Sequence, residues 1–165
     1  MKRAYAVLAL VLLVVVGFRA VGVLTGQKDD ATLIKESLRQ SLEASRKGEP
    51  GGVLDLLSSS ITVNGESQGG VTTQVADFIR KQKPDIEVQN QHPIVTGDEA
   101  RITSPVTIKA DLPMVGTQTI PMKDVVLTFH KETGRALLFL PVPKWRLTGV
   151  TAPSDALSGL AGMGF

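Results

Sequence analysis

Pro84 divides this chain into two periodicities, and that division constrains the fold more than any other feature of the sequence. Before it, apolar residues recur every three or four positions; after it, they alternate one by one almost to Val150. The first spacing belongs to helices that lay one face on a core, the second to half-buried strands. Helices followed by a series of long strands make an α+β arrangement, with the helices covering one face of the sheet.

In the helical half, Asp29 or Asp30 caps a helix running from Ala31 to Lys47, with Leu33, Ile34, Leu38 and Leu42 on its buried face. Gly48-Glu49-Pro50-Gly51-Gly52 stops it. Val53 to Leu57 reads as one or two helical turns, Ser58-Ser59-Ser60 as a turn, and Ile61 to Gly65 as a short strand ending in a turn. A second amphipathic helix, Val71 to Lys83, carries Val71, Val75, Phe78 and Ile79 on one face.

In the strand half, Ile86, Val88, Asn90, His92 and Ile94 share one face of a first strand. Arg101 to Leu112 forms the next, after a turn at Thr96-Gly97-Asp98-Glu99. A third runs from Thr117 to His130, and its alternation slips between Met122 and Val125, which predicts a bulge at Lys123-Asp124. Glu132-Thr133-Gly134 reads as a hairpin loop and Arg135 to Val150 as the last strand, with Pro141 and Pro143 placing it at an edge or bending it. The expected apolar lining of a cavity or interface is Ile86, Val88, Ile102, Val106, Ile108, Val125, Leu127 and Phe129.

Ahead of this domain, Met1-Lys2-Arg3 precedes fifteen uncharged residues, Ala4 to Phe18. Positive charge stays on the cytoplasmic side, so the chain beyond this run is placed across a membrane. Read to Leu24, the run has twenty-one residues, enough to span, with Arg19 snorkelling to the headgroups. The alternative is a signal peptide cut after Ala20-Val21-Gly22, which would release the domain as a secreted or periplasmic protein. No cysteine follows the segment, which excludes a lipid anchor. The expected organisation is a cytoplasmic n-region (1–3), a transmembrane anchor or signal peptide (4–24), a linker (25–30), one folded domain (31–150) and a flexible tail (151–165). A bacterial inner or cell membrane, with the domain on its extracytoplasmic side, is the address this predicts.

Composition removes several functions. With no cysteine there is no disulfide framework and no thiolate chemistry. Without Lys2, Arg3 and Arg19, fifteen basic residues face sixteen acidic ones, interspersed and without a basic block. Nucleic-acid binding needs clustered positive charge and is not expected. After the leader the aromatic residues are Phe78, Phe129, Phe139, Trp145 and Phe165, too few for stacking sites.

The order of a capped helix, a Val-Leu-Asp-Leu-Leu helix, an Ile-Thr-Val-Asn-Gly strand, another helix, long strands and a closing Lys144-Trp145-Arg146-Leu147 resembles the nuclear-transport-factor-2-like (NTF2-like) superfamily over residues 29–150. That superfamily includes ketosteroid isomerase, scytalone dehydratase and many small bacterial proteins. The resemblance implies helices packed on a curved antiparallel sheet of four to five strands, a cone-shaped roll. It also implies an open cone for a small apolar ligand and commonly a homodimer through the sheet's outer face. Enzymes of the superfamily aim an Asp, a His or a Tyr into the cone. Here the one tyrosine, Tyr5, lies in the apolar leader, so the tyrosyl oxyanion donor of an isomerase is missing.

His92 is the candidate general base, and Val88, Asn90 and His92 the candidate ligand contacts, because alternation places them on one face. Strand-end histidines beside a proline, as His92 is beside Pro93, are more often surface groups. Two histidines, His92 and His130, on separate strands fall short of a metal site. Gly69-Gly70-Val71 reads as an ordinary helix start, Asp77 as a solvated helix group, and Trp145 as a plug for the core or the dimer face. No cofactor is expected. The leading expectation is a membrane-anchored binding or assembly module. The alternatives are an isomerase, dehydratase or hydrolase using His92, and a subunit of an envelope-spanning secretion-type complex, whose anchored subunits usually have a longer cytoplasmic stretch.

Overall fold

A computed structural model describes residues 28–67, 71–112, 116–136 and 140–153. The apolar segment 4–24 lies outside these residues; among the described residues no helix is long and apolar enough to cross a membrane. The tail beyond Pro153 also lies outside them.

The first described helix, α1 (Asp30–Lys47), begins where the Asp29 carboxylate accepts the Thr32 N–H at 2.8 Å and ends at Gly48, whose φ of 75° is the left-handed conformation a C-cap glycine supplies. Its buried face is Ile34, Leu38, Ser41, Ala44 and Ser45. A short helix, α2 (Pro50–Leu54), starts on proline, where a missing N–H costs nothing. Gly52 lets it press on α1, since a Cβ there would stand 2.6 Å from that of Ala44. The third helix, α3 (Val71–Gln82), buries Ala76 and Ile79 and leaves Val75 and Phe78 half-buried.

Among the described residues seven strands follow the expected α+β order, more than the four to five anticipated: β1 (Leu57–Val63), β2 (Glu66–Ser67), β3 (Asp85–Val88), β4 (Ile94–Thr96), β5 (Glu99–Leu112), β6 (Gly116–Ala136) and β7 (Leu140–Thr151). Their order is β2-β1-β7-β6-β5-β3, with β4 also on β5, so the sheet is open. It is also mixed, because β1 pairs with β7 in parallel. Curved over α1, this sheet forms a cone.

Four local expectations are corrected. Ser58-Ser59-Ser60 lies within strand β1, in the irregular stretch between its pairs to β7 at Leu57 and Thr62, and is not a turn. The first strand of the meander stops at Val88, because Gln89 donates instead to the Pro105 carbonyl (3.2 Å) and the Asn90 N–H to the Ser104 hydroxyl (2.8 Å). Glu132-Thr133-Gly134 is strand rather than loop: Glu132 faces Lys144, Thr133 faces Pro143, and the ladder runs on to Ala136–Leu140. Arg135 accordingly belongs to β6 and the last strand begins at Leu140. The bulge near Lys123-Asp124 is present, with Asp124 at φ 54° and the β5–β6 register shifting between Ser104 and Val106.

Facing α1, the sheet presents Ala100, Ile102, Val106, Met122, Val125, Leu127, Phe129, Trp145 and Leu147, packed with Ile34 and Leu38 into one core. Phe129, Ile102 and Ile34 are wholly buried. Ile86 and Ile108 sit partly buried at its margin. The predicted apolar lining is thus the inner face of the sheet. Its reverse carries Arg101, Thr103, Val126, Thr128, His130, Arg146 and Thr151.

Candidate functional site

Three places gather polar groups. The first is the segment after β3. Val88 is buried in the core, while Asn90 and His92 are exposed. The Asn90 side-chain oxygen accepts the His92 N–H (3.2 Å) and lies 3.0 Å from its Nδ1, and the Asn90 amide nitrogen donates to the Thr103 carbonyl (3.1 Å). These bonds tie a surface loop to β5. Val88 and His92 do not share one strand face, because the strand that would have aligned them ends at Val88.

Val88 does border a groove of about 200 Å³ between α1 and β3, with Leu42 and Ile86 on its floor. Its rim is charged and internally paired: Arg39 to Glu43 at 3.3 Å, Arg46 to Asp85 at 2.9 Å. Of the candidate ligand contacts Val88, Asn90 and His92, Val88 borders this groove, together with Ile86 of the expected apolar lining.

The second place is a row across the outer face. The Glu99 carboxylate meets Arg101 at 2.6 Å and stands 3.5 Å from the His130 ring. On the neighbouring strands Arg146 lies 3.5 Å from Glu132, which accepts the buried Ser58 hydroxyl at 2.5 Å. Beside the row, Ile94 is 75% exposed and borders a groove of about 400 Å³ with Thr96, Glu99, Arg101 and Thr103. Among the described residues no group of three or more potential metal ligands is assembled.

The third place joins α1 to the sheet. Asp30 accepts the Trp145 indole N–H at 2.9 Å and the Lys131 ammonium at 3.1 Å, and that ammonium lies 5.6 Å from the indole centroid. The Trp145 hydrogen bond, aided by Lys131, holds the Asp30 carboxyl below the usual carboxylate range against the opposing effect of burial. Trp145 plugs the core, as its sequence position suggested. Its acidic partner was not foreseen, because 115 residues separate the two and neither flank announces the contact.

The fold can be matched to solved structures. An NTF2-like superfamily protein from Salmonella enterica is 18% identical, with 74% of this chain and 89% of that one covered and a TM-score of 0.54. A ketosteroid isomerase-like protein from Erwinia carotovora atroseptica is 10% identical, covering 76% and 96% of the two chains at 0.54. This is the NTF2-like fold. Another NTF2-like match is the S. rosetta CaMKII hub, 12% identical over 77% of this chain and 98% of that one, at 0.55. No protein-family model matches the chain, and no curated protein matches it. Proteins sharing the NTF2-like cone thus include an isomerase-like protein and a hub domain, and the fold alone does not choose between them.

Proposed function

We propose that this chain is a membrane-anchored NTF2-like module that binds or assembles without catalysing a reaction. Residues 4–24 form its single span, and the domain stands on the extracytoplasmic side. The observation that carries the reading is the placement of acid–base groups. Both histidines stand at the surface, while the core beneath the sheet is built from Phe129, Ile102, Val125, Leu127 and other apolar side chains. A reaction with His92 as base gains nothing from this arrangement, since the ring bonds Asn90 outside the cone.

The outer sheet face is the surface offered for a second copy or a protein partner. Its threonines and paired charges suit a polar, specific contact more than a greasy one. A small apolar ligand would enter at Leu42, Ile86 and Val88. Membership of an envelope-spanning assembly is compatible with this reading.

The test is the full chain with a C-terminal tag, expressed in a bacterium. Retention in carbonate-washed membranes, digestion of the domain by protease added outside the inner membrane, and a dimeric mass in detergent are expected. A soluble, processed product would remove the anchor. A monomer that turns over a substrate, and loses that activity on His92→Gln, would overturn the non-catalytic reading.

A further inference from the structure

We infer that Asn64-Gly65 is a covalent modification site: an intramolecular deamidation site that the fold keeps closed through Ala152 and that opens when the end of β7 lifts away.

The dipeptide sets the chemistry. Asparagine carries an amide carbon able to close a five-membered ring with the nitrogen of the next residue, and glycine, lacking a side chain, hinders that nitrogen least. Asn64 precedes Gly65, whereas the chain's other asparagine, Asn90, precedes Gln91. Asn64 and Gly65 are both exposed, and nothing stands within 4 Å of where a Cβ on Gly65 would be, so water and base reach the turn. In the reaction the Gly65 nitrogen gives its proton to base and bonds to Asn64 Cγ. The Cγ–Nδ2 bond breaks, and Nδ2 leaves as ammonia with a proton from solvent. Water then opens the cyclic imide at either carbonyl, leaving an aspartate or an isoaspartate at position 64. No oxidant or cofactor takes part.

The fold holds Asn64 against this step. With Gly65 it forms the two-residue turn between β1 and β2, at φ values of 50° and 82° that asparagine and glycine accept. Its Oδ1 accepts the Ala152 N–H at 2.8 Å, and its Nδ2 donates to the Ala152 carbonyl at 3.0 Å. The Asn64 N–H donates to the Val150 carbonyl at 2.9 Å. The side-chain amide therefore serves Ala152 as a further strand residue would, and it carries the β1–β7 ladder past its last pair, Val63–Val150. Ala152 belongs to the buried core, which fixes the other half of this clamp. With its oxygen and its nitrogen both bonded towards Ala152, Cγ does not swing back onto the Gly65 nitrogen.

The product does not restore what was lost. A carboxylate at position 64 still accepts from the Ala152 N–H, but its second oxygen meets the Ala152 carbonyl, acceptor against acceptor. An isoaspartate also lengthens the main chain inside a two-residue turn. An opening of the β7 end that lasts long enough is thus made permanent.

The test incubates the purified full chain for days at mildly alkaline pH, with and without denaturing urea, and then digests it with trypsin. Asn64 is the one asparagine in residues 48–80, a tryptic peptide, and mass spectrometry follows a gain of about 1 Da at that position. The expected result is deamidation about ten- to hundredfold slower in the folded chain than in urea, the protection that two hydrogen bonds supply. Full-length Ala152→Pro lacks the N–H that Oδ1 accepts, and while its Trp145 fluorescence remains native it should deamidate several-fold faster than wild type. Asn64→Asp, which copies the product, should exchange its Ala152 amide hydrogen several-fold faster than wild type, and this reading stands in where Ala152→Pro does not fold. Absence of deamidation in urea overturns the site. Equal rates with and without urea, or a folded Ala152→Pro as slow as wild type, overturns the gate. Unchanged exchange at Ala152 in Asn64→Asp overturns the clamp.

Discussion

Replacing Asp30 with alanine tests the joint between α1 and the sheet. The Trp145 side chain is almost completely buried, so its indole N–H loses its acceptor where water has little access. An unsatisfied buried donor costs about 1–3 kcal/mol. The ion pair with Lys131 adds little, because both side chains are about a third exposed and such pairs are worth at most ~1 kcal/mol. Losing an acid from the first turn of a helix costs another ~0.3–1 kcal/mol. Together Asp30→Ala is expected to cost about 2–4 kcal/mol at neutral pH, a shift of roughly 1–2 M in the urea midpoint.

The chain has one tryptophan, so Trp145 fluorescence reports unfolding of the full chain directly. The pH dependence sharpens the test. Because folding lowers the Asp30 pKa, its ionic contribution is complete above the unfolded-state value and is lost as pH falls through the folded-state value. The gap between wild type and variant must therefore narrow towards acid. A midpoint moved by less than about 0.3 M, or a gap equal at pH 7 and pH 3, would refute the assignment of Asp30 as the joint.

Phe129→Ala, at a wholly buried position, is expected to cost about 3–5 kcal/mol by denaturant titration. Gly52→Ala should cost ~1–3 kcal/mol through overpacking against Ala44, and the double variant with Ala44→Gly should recover part of it. Ser45→Ala removes a buried 2.8 Å bond to the Pro84 carbonyl and should lower stability by about 1 kcal/mol in the same assay. His92→Gln, at an exposed loop, should leave the urea midpoint within about 0.3 M of wild type, since surface changes rarely exceed ~0.5 kcal/mol.

The features legible in sequence were those with a local period. The helix to Lys47, the helix from Val71, the long β5 and the bulge at Asp124 all follow from spacing of apolar residues along a single segment. Features decided by a distant partner were not legible. Ser58-Ser59-Ser60 has turn composition, yet it lies within β1, between Leu57 and Thr62, which pair with Leu147 and Gly149 of β7. Residues Glu132 to Gly134 look like a loop, yet the opposing run Val142 to Lys144 keeps them in the ladder. Alternation carried Asn90 and His92 onto the face of Val88 only on paper, because hydrogen bonds to Ser104 and Pro105 end the strand first. The same holds for Asp30 and Trp145, a contact with no local signature.

The parallel pairing of β1 with β7 also has a consequence in time. Leu57 finds its partner Leu147 about ninety residues later in the chain. A ribosome or translocation channel releasing the chain from its N-terminus exposes β1 long before β7 exists to cover it. Loop closure over such a distance is slow, and an unpaired strand edge meanwhile invites other chains. Strand β7 is thus the one that closes over β1, and truncation just before Leu140 would leave β1 with only the two residues of β2 to pair with. For this chain the vulnerable interval is the wait between β1 and β7.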